Sequence, residues 1–227
     1  MRSKNPFKDL SKYELILWLS SIIIVTCSFI FSASKDYLTL IASLIGVTAL
    51  IFVAKGYVIG QVLTVVFSVF YGIISFYFQY YGEMITYLGM TSPIAILSVI
   101  SWIRHPYKKT AEVEVNKMSK RQIVFMLILT AVVTIIFYFI LEYLGTANLF
   151  FSTVSITTSF LASYLTFMRS PFYGIGYGLN DIILIILWIL ASTQNLSYIP
   201  MVICFVMFFI NDFYGFYNWQ RMKKRQT

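Results

Sequence analysis

Eight long apolar runs without a lysine or arginine decide what this chain can become. They cover residues 15–32, 37–54, 57–79, 84–103, 123–144, 149–168, 173–191 and 196–219. A helix needs about 20 residues to cross a hydrocarbon layer of about 30 Å. Inside lipid the backbone must satisfy its own polar groups, which leaves helices or a closed barrel. Barrel strands would be shorter and alternate in polarity; these runs are continuous. Only 11% of the residues are charged, against roughly 25% in soluble domains. The expected fold is all-α, integral to the membrane, with eight transmembrane helices.

The cations set an orientation. Arg2, Lys4, Lys8 and Lys12 precede the first run, and Lys55 follows the second. Arg104, Lys108, Lys109, Lys117, Lys120 and Arg121 follow the fourth, Arg169 follows the sixth, and Arg221, Lys223, Lys224 and Arg225 follow the eighth. Of the 17 cations only Lys35 falls on the other side. The positive-inside rule places both termini in the cytoplasm. The net charge of +8 is therefore a topology signal, and no nucleic-acid partner is expected. The first run has the basic lead of a secretory signal, but its apolar core exceeds the usual 7–15 residues or so. It reads as a true span.

Two stretches of the chain correspond. Lys55, Gly60 and Trp102-Ile103-Arg104 recur as Arg169, Gly174 and Trp219-Gln220-Arg221. The repeated unit is three helices, at 37–103 and 149–221. Three crossings invert orientation, so a direct copy would be upside down; the fifth run restores it. The expected organisation is a cytoplasmic N-terminus and extra first helix (1–36), a first three-helix repeat (37–103), a cytoplasmic linker and connecting helix (104–148), a second repeat (149–221) and a basic tail (222–227). Parallel repeats of this kind are related by an axis along the membrane normal and hold solutes between them. Ser119 and Gln122 have capping-box spacing and would start the fifth helix.

Intramembrane acids are costly and face a cavity or a partner. Glu142, Asp181 and Asp212 lie in the runs. Glu142 is near a span end and reads as structural. Asp181 stands twelve residues after Arg169 and Asp212 nine before Arg221, roughly 18 and 14 Å from the cytoplasmic face. Each follows an asparagine, Asn180 and Asn211. With no lysine or arginine in any run to neutralise them, the acids hold protons, await a cation, or bond to hydroxyls in the bundle. Trp188 falls two turns after Asp181 on the same face, and Tyr214 follows Asp212. A flat cation could stack on such rings while a carboxylate offsets its charge. Pro93 interrupts the fourth run and kinks it, as a hinge or a static bend.

Several chemistries have no residues to draw on. His105 is the only histidine, so no zinc site or histidine triad is available, and no cofactor is expected. Cys27 and Cys204 lack the spacing of a metal or redox pair. Gly174-Ile175-Gly176-Tyr177-Gly178 follows no strand, as a dinucleotide fingerprint would, and opens an ordinary span; its small residues suit close helix packing.

Tyr81-Gly82-Glu83, Trp102, and Tyr214-Gly215 with Trp219 occur in an order and spacing that resembles the PnuC family of vitamin B3 transporters. The resemblance covers residues 37–221. It implies a SWEET-like 3+1+3 fold of parallel repeats plus the extra N-terminal helix, in the bacterial inner membrane. It also implies uptake of nicotinamide riboside by facilitated diffusion, without ATP, with a cytoplasmic kinase trapping the product. Family members often pair two tryptophans one turn apart in the seventh span, where this chain has Leu184 and Trp188. The expected substrate-binding residues are Asp181, Asn180, Trp188, Asn211, Asp212 and Tyr214, with Gln61 and Tyr87 from the first repeat. The alternatives are another flat vitamin or nucleoside, such as thiamine or riboflavin, and proton-coupled transport. A membrane enzyme lacks an activated nucleophile or metal cluster. The sequence leaves a homo-oligomer open.

Overall fold

The computed structural model describes residues 5–32, 36–77, 81–108, 110–146 and 148–227. Arg2, Lys4, Lys35, Gln79 and Lys109, used above, lie outside them. Eight helices are long and apolar enough to cross a membrane. They are α1 (Lys12–Ile30), α2 (Tyr37–Ala54), α3 (Val58–Tyr77), α4 (Tyr81–Arg104), α5 (Lys120–Tyr143), α6 (Leu149–Phe167), α7 (Tyr173–Gln194) and α8 (Ile199–Gln226).

Local chemistry fixes the helix ends. The Ser119 hydroxyl accepts from the Gln122 amide while Gln122 Oε1 accepts from the Ser119 amide, so the expected capping box starts α5. Ser11 and Glu14 form a second box at α1, and the Asp36 carboxylate caps α2 by accepting from the amides of Leu38 and Thr39. These caps satisfy amides that would otherwise be orphaned. α1 and α4 each begin three residues before the apolar runs do, because a polar first turn is still helical. Two acids that hydropathy left outside, Glu14 and Glu83, therefore lie within helices.

Inside α4, residues Thr86–Thr91 form a π-helical turn directly before Pro93. The Ser92 amide donates to the Tyr87 carbonyl, five residues back. The wide turn accommodates the proline and contains Tyr87; such turns recur at functional sites.

α2, α3 and α4 pack together, as do α6, α7 and α8. The two groups meet along two seams, α2 against α8 and α4 against α6. α5 packs on α6, and α1 lies over the first seam, touching both α2 and α8. Gly60 is required where α3 meets α2: an added Cβ would lie 2.4 Å from the Val53 backbone nitrogen. Gly174 and Gly176 admit α8 and α6 in the same way, with 2.5 Å to the Asp212 carbonyl oxygen and 2.9 Å to Ala162 Cα.

The ends of α2, α4, α6 and α8 gather at one face, called here the basic end. There the correspondence seen in the sequence shifts by one residue. After α2, Gly56 donates to the Val53 carbonyl and Tyr57 to Phe52; after α6, Arg169 donates to Thr166 and Ser170 to Leu165. Gly56 and Arg169 both have left-handed backbones, with φ of 69° and 56°. The geometric counterpart of Arg169 is thus Gly56 rather than Lys55. The two tryptophans keep the correspondence and cross it over. The Trp102 indole donates to the Thr166 carbonyl at 3.0 Å and the Trp219 indole to the Val53 carbonyl at 2.9 Å. Each group of three helices ends on the first helix of the other.

The linker between α4 and α5 is polar in composition but tied down. Val113 donates its amide to Gly56, is buried, and packs with Trp102, Tyr173, Trp219 and Met222. Gln226, at the end of α8, bonds the backbone of Val113 and Val115. This cluster closes the basic end.

Candidate functional site

α7 and α8 lie side by side, and each turns a carboxylate inward. Asp181 and Asp212 are buried and face the same small cavity. Asp181 Oδ2 has no hydrogen-bond partner among the described residues. Asn180 Oδ1 accepts from Ser155 Oγ at 3.2 Å and Thr158 Oγ1 at 3.0 Å, which fixes the amide against α6.

Five expected site residues meet at one place. Asp181, Asn180, Asp212, Gln61 and Tyr87 all line a small cavity between the two helix groups. Its volume is about 50 Å³, space for a water or two at roughly 30 Å³ each. Small-molecule sites run from about 300 to 1,000 Å³. In this conformation the cavity is too small for a nucleoside-sized solute.

A second cavity, of about 430 Å³, opens at the end opposite the basic one. Trp188 lines it, together with Glu83, Thr146, Asn148, Asn195 and Tyr198. Trp188, Tyr71 and Tyr87 stand between the two spaces. The Trp188 indole donates to the Tyr71 hydroxyl at 3.1 Å, and the Tyr71 and Tyr87 rings pack 4.3 Å apart. Below the small cavity, Trp102, Trp219 and Tyr173 seal the basic end, with 5.4 Å between the two indoles and 5.0 Å between Tyr173 and Trp219.

Two expected site residues are elsewhere. Asn211 Nδ2 donates to Ser21 Oγ on α1 and to the Met207 carbonyl. The Tyr214 hydroxyl donates to Glu14 Oε1 at 2.9 Å. Successive helical residues differ by about 100° in direction, so Asp212 facing the cavity turns Asn211 toward α1. Tyr214, two positions on, is carried away as well. Of the two asparagines that precede the acids, only Asn180 reaches the cavity. Glu142 is exposed near the end of α5, as expected.

Other lining residues went unnamed in the sequence. Tyr177 lies one turn before Asp181 and Phe208 one turn before Asp212, so i−4 spacing from the acids would have found both. Thr91 lies in the π-helical turn, which breaks helical periodicity and hides it. Outside the membrane helices, burial beside Asp9 and Glu112 pushes the Tyr57 phenol up to about 12. Burial lowers the Arg169 guanidinium.

Residues 36–221 match the family model described as "Nicotinamide mononucleotide transporter". The chain belongs to this family. Its members are transporters rather than enzymes, and the family's span runs from the start of α2 to the basic end of α8, leaving α1 outside. The chain is 25% identical to the nicotinamide riboside transporter PnuC of Neisseria mucosa, over 99% of this chain and 87% of that protein. It is 22% identical to the PnuC of Haemophilus influenzae, over 99% and 97%. A crystal structure of the vitamin B3 transporter PnuC superposes with a TM-score of 0.84 at 25% identity, covering 96% of this chain and 94% of that one. The all-helical, multi-pass architecture is thus a family property.

Proposed function

We propose that this protein carries nicotinamide riboside across the bacterial inner membrane by facilitated diffusion, alternating access around the cavity at Asp181, Asp212, Asn180, Gln61 and Tyr87. The observation that carries the reading is a buried acid pair beside aromatic rings, in a chain similar to nicotinamide riboside transporters. The solute is a flat pyridinium on a ribose. A carboxylate and an aromatic ring suit the cation; Asn180 and Gln61 offer hydrogen bonds to the sugar.

In this reading α2–α4 and α6–α8 are parallel repeats joined by α5, with α1 as an extra helix, and the basic end is cytoplasmic. The crossed tryptophan bonds and matching turns support a twofold relation. The larger cavity then opens outward, and the tryptophan cluster closes the cytoplasmic side. Transport needs the small cavity to widen while the Trp188 partition and the Trp102–Trp219 closure open in turn.

Uptake of labelled nicotinamide riboside into proteoliposomes tests this. It should saturate and continue downhill without a pH gradient. Accumulation that collapses with the gradient would instead favour proton coupling by the acid pair. Titration of the purified protein with nicotinamide riboside, thiamine, riboflavin and a nucleoside identifies the solute. Unchanged riboside binding by both Asp181→Asn and Asp212→Asn would remove the site assignment.

A further inference from the structure

The acid pair does not hold the only enclosed carboxylate facing a cavity. Glu83, in the first turn of α4, lines the larger cavity, and its Oε2 is enclosed with no hydrogen-bond partner among the described residues. Thr146 Oγ1, which lines the same cavity beside this turn, is likewise enclosed and without a partner among the described residues. Native structures rarely leave such atoms unsatisfied, and each is a reason to look for a missing partner. Gly82 lets this turn close against the α5 end: a Cβ there would lie 2.7 Å from Leu141 Cδ2 and 3.2 Å from Thr146 Cγ2.

The surroundings restrict what that partner is. Among the described residues no lysine, arginine or histidine lines the cavity. Among the described residues no group of three His, Cys, Asp or Glu could hold a metal ion, and calcium or magnesium would need several oxygen ligands. Two rings stand in its wall: Trp188 and Tyr198 pack edge to face at 5.7 Å, and the Trp188 ring is fixed by its bond to Tyr71. A carboxylate beside fixed rings and a free hydroxyl fits an organic cation, and 430 Å³ lies in the range that holds small molecules.

We propose that Glu83, Trp188 and Thr146 form an entry subsite for a flat organic cation, separate from the Asp181–Asp212 cavity, and that Glu83 sets the preference for charged over neutral solutes. This rests on the transport reading above and names where the solute docks before the Trp188 partition opens. Geometry links the stages: Tyr87 lines the small cavity and packs on Tyr71, which holds Trp188 at the larger one. A cation leaving Glu83 moves toward the second carboxylate.

The test compares nicotinamide riboside with its reduced, uncharged dihydro form, for binding and for proteoliposome uptake. The variants are wild type, Glu83→Gln and Glu83→Asp. Wild type should favour the cation. Glu83→Gln should bind it about tenfold more weakly, the scale of a lost charge-assisted contact, with little change for the dihydro form. Glu83→Asp should recover most of the preference. Thermal melting confirms that the variants fold. As a measurement needing no variant, N-methylnicotinamide should compete with riboside uptake by wild type and neutral nicotinamide should not. Equal competition by the two, or unchanged cation affinity in Glu83→Gln, overturns the subsite and leaves the transport reading standing. A wild type that takes up no riboside removes both.

Discussion

Replacing Glu14 with alanine should destabilise the protein far more than an ordinary charge deletion. The Glu14 carboxylate accepts from Lys55 Nζ at 2.9 and 3.2 Å, from the Tyr214 hydroxyl at 2.9 Å and from the Ser11 amide at 2.6 Å. It joins α1 to the end of α2 and to α8. The side chains of Lys55 and Glu14 are only 13% and 4% exposed, so discounting the pair as a surface contact of about 0–1 kcal/mol is not warranted. Removing one partner of a buried pair leaves an uncompensated charge and costs about 3–5 kcal/mol. For a chain of this size each kcal/mol moves the midpoint by about 2–4 °C. Thermal unfolding in detergent should therefore fall by about 6–20 °C. Glu14→Ala/Lys55→Ala should recover part of that loss, because the stranded ammonium is gone. Should the single variant lose under about 1 kcal/mol, or the double variant lose the sum of both singles, the carboxylate is not the clasp described.

The remaining predictions concern the basic end and the helix contacts. Trp102→Phe and Trp219→Phe each remove a buried indole bond and should cost about 1–3 kcal/mol. Because the rings touch, the double variant should depart from additivity by at least about 0.5 kcal/mol, read from melting curves. Gly60→Ala drives a Cβ into the Val53 backbone and should cost about 1–3 kcal/mol. Gly89→Ala, whose Cβ would meet nothing nearer than 3.8 Å, should be near neutral by the same melt. The raised Tyr57 phenol adds stability that is complete below its ordinary value of 10 and is lost as the pH climbs through about 12. Tyr57→Phe should flatten that part of the alkaline stability profile.

Hydropathy located all eight helices because the lipid-facing surface must be apolar along a whole span. The Ser119–Gln122 cap was legible because its chemistry is local. Asp181 and Asp212 were legible because uncompensated acids in an apolar run have few tolerable places to point. What hydropathy missed lies where a helix is polar at its first turn, as at Glu14 and Glu83, or loses its period, as at Thr91 in the π-helical turn. Asn211 and Tyr214 were misplaced for a different reason. Sequence distance from Asp212 says how far along the axis a side chain stands. Which neighbour it meets depends on α1, whose packing no repeat pattern foretells.

The crossed tryptophans bear on how the chain is made. The Trp102 indole is synthesised 64 residues before its acceptor at Thr166, and Val53 precedes its donor Trp219 by 166 residues. The first helix group therefore enters the membrane unfinished. Its closing contact forms only when the last helix has been delivered.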